Sequence, residues 1–267
     1  MKVGKSVGWF SGAIIAFVMM YVIMKVLFVD SFIVSGDSME PTLHNGERIW
    51  VDKTLFGARI YTDYDFSKTT LNSIRLLGRR RIKVGDVVVF NYPFGKSKDT
   101  ISFKINYVYI KRCIGVPGDS VRIKDGHYAF SDKIDVVPKQ YQEILEGCDD
   151  ESLMEDQVEL MAFQVNKGLK WTIKDFGPLY VPKKGDSLSM DASNYKSYRR
   201  LIQYETGERP HLDNAGETVL LGDKVITSYR FRQNWYFMGG DNVLNSHDSR
   251  FFGLVPEDYI IGIVRGK

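Results

Sequence analysis

The chain opens on one long apolar run and then breaks into short alternating stretches. Residues Val7 to Met24 read VGWFSGAIIAFVMMYVIM and carry no charge. A helix of that length covers about 27 Å, close to the roughly 30 Å hydrocarbon core of a bilayer. Trp9 and Tyr21 suit the two interfacial belts, and Val26 to Val29 extend the run if Lys25 snorkels. The run is apolar all round, unlike the single stripe of a soluble surface helix. The residues after it (Leu27, Phe28, Val29, Asp30, Ser31) offer no small-x-small cleavage site, so the pattern predicts a retained anchor. Lys2 and Lys5 before the run and Asp30 after it predict a cytoplasmic N-terminus, a single pass through the cytoplasmic (inner) membrane, and the rest of the chain on the outer face.

Beyond residue 30 the chain breaks into short strand-like stretches. Strands are predicted at Phe32–Val34, Arg48–Lys53, Val87–Tyr92 (opened by Gly85-Asp86, closed by Pro93), 101–114, Ser120–Ile123, Trp235–Met238 and Tyr259–Val264. From 125 to 232 the chain is more polar, with a strand-like piece at Leu179–Val181 and a helical pattern around 141–163. The expected fold is mainly β: one N-terminal transmembrane helix (1–30), then an antiparallel β-sheet catalytic domain built from 31–124 and 233–267. Residues 125–232 form an inserted subdomain. There is no internal repeat or low-complexity tract.

Composition agrees with strands and turns, with 24 glycines and 13% aromatic residues. The formal net charge of +3 is spread along the chain and does not point to nucleic acid. The run Arg79-Arg80-Arg81 reads as a solvated loop. Cys113 and Cys148 form no C-x-x-C or Cys/His cluster, so no zinc, other metal or cofactor is expected, and free thiols are expected over a disulfide.

Candidate chemistry begins with Ser38, in Ser35-Gly36-Asp37-Ser38-Met39-Glu40-Pro41. A serine on a Gly-assisted turn can present its hydroxyl together with backbone N–H groups, although most turn serines only bond their own backbone. The hydroxyl needs a base. His44, six residues on, and His247, in a Gly/Asp/Asn-rich loop, are candidates among the four histidines; neither sits in a G-x-S-x-G elbow. Lys111 is the other candidate. Period two places Tyr107, Tyr109 and Lys111 on one strand face, where burial lowers a lysine's pKa. By itself that pattern equally fits a snorkelling or salt-bridged lysine.

Four motifs in order, SMEPTL (Ser38 to Leu43), KVGDVVVF (Lys83 to Phe90), YIKRCIGVPGD (Tyr109 to Asp119) and GGDNVLNSHDSRFFGLVP (Gly239 to Pro256), resemble the type I signal peptidase (leader peptidase) family. The resemblance covers the apolar run and roughly 32–53, 83–124 and 236–264, and leaves the inserted region uncovered. It implies a serine endopeptidase that removes signal peptides from exported preproteins, with Ser38 as nucleophile and neutral Lys111 as general base. Ser246 matches the serine that orients the lysine. Asp248 and Arg250 match a bracing pair, Asp241 an acidic residue of the same loop, and Tyr109 a packing partner of the lysine. Gly36 stands where some members place a hydroxyl that assists the oxyanion, and Val243-Leu244 stands where many have Arg-Asp.

The resemblance further implies an extended substrate lying beside residues 33–36 and 107–111, with Val34, Gly36, Met39, Leu43 and Ile110 forming shallow pockets for small side chains. The short spacing from Val29 to Ser38 predicts a membrane-proximal site, with membrane lipid and secretion machinery as partners and Phe251 and Phe252 as residues that dip into lipid or pack in the core. Two other classes compete: a self-cleaving repressor peptidase, disfavoured because no DNA-binding segment precedes the strands, and a non-catalytic membrane-anchored assembly factor, disfavoured by the complete Ser38, Lys111 and Ser246 set.

Overall fold

Seven strands form the principal sheet, and every neighbouring pair runs antiparallel. Their order across the sheet is Val29–Ile33, Arg48–Asp52, Ile260–Val264, Val87–Asn91, Val108–Gly115, Trp235–Gly239 and Val255–Pro256. The computed structural model describes residues 3–65, 67, 71–95, 99–129, 136–155, 158 and 171–266, with side chains from residue 12 onward.

The Val87–Asn91 strand shows why the sequence runs apolar there: it is buried on both faces. Val88 and Phe90 enter a large core, while Val87 and Val89 enter a smaller cluster with Val34, Met39, Leu43, Ile49, Val51 and Val264. The smaller cluster is what anchors the Ser38 loop. Met39 and Leu43 are its apolar feet, and the loop closes on itself through Val34 N to Glu47 O (2.9 Å) and Gly46 N to Val34 O (2.9 Å).

The long strand expected over 101–114 is confined to Val108–Gly115. Ile101 and Phe103 are buried in the large core, and the chain turns at Lys104–Tyr107 (Tyr107 N to Lys104 O, 3.2 Å) before the ladder begins. On one side this strand pairs from Val108 to Arg112 with Val87–Asn91. On the other, pairing to Trp235–Gly239 starts only at Arg112. The edge at Val108–Lys111 is therefore open on that side.

Residues 120–230 contribute small sheets, among them Ser120–Lys124 with His127–Ala129 and Phe176–Tyr180. They also contribute the helix Ala192–Thr206, capped by the Asp191 carboxylate and ended by Gly207 in the left-handed region (φ 78°). Its buried Tyr198, Leu201 and Ile202 belong to the same core cluster as Phe90 and Trp235, so this region and the principal sheet share one core. The helical pattern around 141–163 resolves into Gln140–Gly147 and Asp150–Glu155; residues 156–157 and 159–163 lie outside the described residues. Both cysteines are free thiols, Cys113 buried and Cys148 half-buried. In the basic run, Arg79 reaches Asp52 (3.2 Å) and Arg80 grips Asp86 (2.6 and 2.9 Å), so two of its members brace strands.

The N-terminus requires a correction. A helix does form over Val3–Leu27, but among the described residues no helix is long and apolar enough to cross a membrane. The Val3–Leu27 helix carries the charge of Lys25, which pairs with Asp30 (3.2 Å). The helix end is tied to the sheet by Lys53 Nζ, which donates to Lys25 O (2.7 Å). The expected transmembrane helix, the single-pass inner-membrane placement and the membrane-proximal site are overturned by this finding. The side chain of Trp9, expected at an interface, lies outside the described ones. Phe252, considered for a lipid-facing role, is buried, and Phe251 stacks on His247 (5.6 Å between ring centroids).

Candidate active site

The Ser38 loop and the open edge of Val108–Gly115 meet across a cleft. Lys111 Nζ lies 2.5 Å from Ser38 Oγ. Strand pairing with Val88 carries the lysine to the cleft, and its side chain is only 4% exposed. Burial pushes its pKa from 10.5 down to about 8, and the charge of Arg250 acts the same way; the carboxylates of Asp248, Asp241 and Asp37 oppose both. Tyr109 lies two residues earlier on the same face, its ring centroid 5.4 Å from Nζ, stacked on Tyr92 (4.6 Å). Burial raises the Tyr109 phenol well above its usual value, so it stays neutral beside the lysine.

Arg112, next in the strand, projects to the opposite face and makes a bidentate pair with Asp241 (2.7 and 2.6 Å). Thr42 completes that network, donating to Asp241 (2.5 Å) and accepting from Arg112 (3.0 Å). It ties the end of the Ser38 loop to the strand that carries Lys111 and to the loop after Gly239.

That loop supplies the rest. Asp248 and Arg250, both fully buried, pair through Arg250 Nε and Nη2 (2.9 and 2.8 Å). Burial alone raises the Asp248 pKa, but the Arg250 charge and the N–H of Gly240 (3.0 Å) hold it below the usual carboxylate range. Arg250 also donates to Val243 O (2.9 Å), so the Val243-Leu244 segment takes part through its backbone. Asn242 N donates to Ser38 O (3.2 Å), and Asn245 Nδ2 holds the Asp37 carboxylate (3.0 and 3.1 Å). Ser246 is buried in this shell. Its hydroxyl makes no hydrogen bond of sound geometry among the described residues, to Lys111 or otherwise, although it lies near enough to Asp248 to help lower that carboxyl's pKa.

The cleft encloses about 440 Å³. Val34, Gly36, Met39 and Ile110 line it with Ser38, Lys111, Tyr107, Asn245 and His247. Leu43, expected in a pocket, is fully buried in the cluster beneath and does not reach the cleft. His44 is exposed and near Glu40 (3.7 Å), while His247 lies 3.3 Å from Tyr92 Oη. Among the described residues, the hydrogen bonds of Ser38 go to Lys111 and Asn242. Among the described residues no cluster could hold a metal ion. Sequence reasoning missed Thr42, Arg112, Asn242 and Asn245. Each sits inside a quoted motif, and period two alone sets Arg112 on the face opposite Lys111.

The profile of the family described as "Signal peptidase, peptidase S26" matches residues 6–266. The chain belongs to this family. It is similar to signal peptidase I P of Bacillus subtilis subsp. natto (30% identity, 72% of this chain and 81% of the relative). It is also similar to signal peptidase I of Bacillus licheniformis (33%, 70% and 77%) and of Buchnera aphidicola subsp. Acyrthosiphon pisum (26%, 90% and 68%). As a member of the signal peptidase family the protein is a serine endopeptidase of the signal peptidase I type, and its substrates are, generically, preproteins.

Proposed function

We propose that Ser38 and Lys111 form the catalytic dyad of this endopeptidase and that it cuts signal peptides from exported preproteins. The 2.5 Å approach of Lys111 Nζ to Ser38 Oγ carries the reading. Once neutral, Nζ accepts the Oγ proton as Oγ attacks the scissile carbonyl; the proton then passes to the leaving amine. The acyl-enzyme is released when water, deprotonated by the same lysine, attacks the ester. A lysine with pKa near 8 is suited to this work because an appreciable fraction is neutral at mildly alkaline pH.

The Ser38 N–H, which makes no hydrogen bond among the described residues, is available to the oxyanion. Gly36 (φ 86°) donates its own N–H to Asn45 Oδ1 (3.1 Å) and offers no hydroxyl. An extended substrate would pair with the open edge at Val108–Ile110, with Val34, Gly36, Met39 and Ile110 meeting its small side chains. Asp248, Arg250 and Asp241 act through the loops they brace, Tyr109 through its packing on the lysine, and Ser246 by filling the space under Gly240.

The test is cleavage of a purified preprotein by wild type, Ser38→Ala and Lys111→Ala. Both variants should lose at least about 1,000-fold in rate. An intact preprotein with wild type, or efficient cutting by either variant, would sink the dyad.

A further inference from the structure

A second cavity of about 210 Å³ shares two walls, Phe32 and Val108, with the peptide cleft. It lies further along both cleft strands in the same direction: past Val108 to Ile105 on one side, past Phe32 to Asp30 on the other. Its remaining lining is Lys53, Arg59, Tyr61 and Ile261.

The electrostatics of this cavity are unbalanced. Asp30 is its sole carboxylate and is already shared by Lys25 and Lys53 (3.2 Å each). Arg59 is buried, yet its guanidinium pairs with no carboxylate among the described residues. It donates only to Asp258 O (2.7 Å), Tyr61 Oη (2.8 Å) and Asn91 Oδ1 (2.7 Å). A guanidinium has five N–H donors, so two are left over; Lys53, bonded to Lys25 O and Asp30, keeps one of its three. A buried cation without a counter-ion is costly, and a cavity beside it is where a counter-ion relieves that cost.

We propose that this cavity is a distal subsite that receives an acidic side chain of the substrate, between Lys53 and Arg59. The proposal rests on the peptide lying along Val108–Lys111 as described above. The cleft runs from the dyad only toward Ile110, Val108 and Phe32, so the signal-peptide side of the substrate, the part before the cut, lies in that direction. Three residues of strand separate Lys111 from Val108, about 10 Å, so the side chain entering the cavity stands roughly four to six positions before the cut. The enzyme then reads small side chains next to the cut and a negative charge further upstream.

The experiment uses peptides that differ only by Glu, Gln or Ala at the fourth, fifth or sixth position before the cut. At one of these positions wild type should show kcat/KM for Glu about tenfold above Gln, the scale of one charge-assisted hydrogen bond. The Glu/Gln ratio should fall toward one in Lys53→Gln and in Arg59→Gln, each of which removes one of the two charges. Because the readout is a ratio, a partly destabilised variant still reports, and the wild-type ratio needs no variant. A wild-type ratio near one at all three positions overturns the subsite while cleavage of the Gln peptide leaves the peptidase reading standing. A preference that survives in both variants overturns the assignment to this cavity. Equal inhibition of Glu and Gln peptides by inorganic phosphate, with no Glu preference, makes it a free-anion site and also overturns the proposal. Failure of wild type to cut any of the peptides removes the dyad reading and the subsite together.

Discussion

Lys111 Nζ and Ser38 Oγ stand 2.5 Å apart although the two residues are 73 positions apart in the chain. The rate must follow the neutral fraction of that lysine. We expect kcat/KM to rise with pH through a midpoint near 8, where the folded-state pKa lies, and to be low in acid. Asp37 helps keep the lysine charged, so Asp37→Asn should move the midpoint to lower pH. His44→Ala, which alters an exposed side chain, should leave the profile in place. A histidine-like midpoint that disappears in His44→Ala would reverse the assignment of the base.

Stability should carry the same titration. The lysine releases its proton near pH 8 when folded and near 10.5 when unfolded. Between those values the unfolded chain binds more protons, so stability climbs with pH; the cost of the buried ammonium is fully present below 8 and relieved above about 10.5. Over that window it amounts to about 3 kcal/mol. In Lys111→Met this dependence is absent, so urea unfolding at several pH values should show wild type gaining by about that much relative to the variant.

Asp248 and Arg250 form a fully buried pair, and removing one charge strands the other. Asp248→Asn should cost about 3–5 kcal/mol in chemical denaturation. Because the Asp248 charge also favours the protonated lysine, any active Asp248→Asn enzyme should show its alkaline limb shifted to lower pH.

Gly240 lets three segments approach one point. A Cβ there would lie 2.1 Å from Ser246 Oγ and 2.5 Å from the Ser38 carbonyl oxygen. Gly240→Ala should therefore destabilise by about 1–3 kcal/mol and lower kcat more than thermal stability alone explains, since the displaced groups hold Ser38. Gly36→Ala meets no atom within 4 Å, but its φ of 86° disfavours any side chain, so a smaller stability loss is expected from backbone strain alone.

Local sequence located several strands to within a residue or two, by alternation at Ser120–Lys124 and by short apolar runs beside turn residues at Val87–Asn91 and Trp235–Gly239. The same periodicity placed Tyr109 and Lys111 on one face, and the four motifs pointed to the family. Local pattern misjudges residues 101–107, where Ile101 and Phe103 pack into the large core ahead of a turn, and the N-terminal run, whose apolar character predicts a membrane span that the described helix does not support. Neither the pairing of Arg112 with Asp241 and Thr42, nor the anchoring of Asp37 by Asn245, nor the second cavity could be read from the chain. Each depends on residues far apart in sequence, and such contacts exist only once the sheet register is set. The pKa of Lys111 belongs with them: the sequence named the lysine, but the burial that makes it a base is a property of the folded sheet and the loop closed over it.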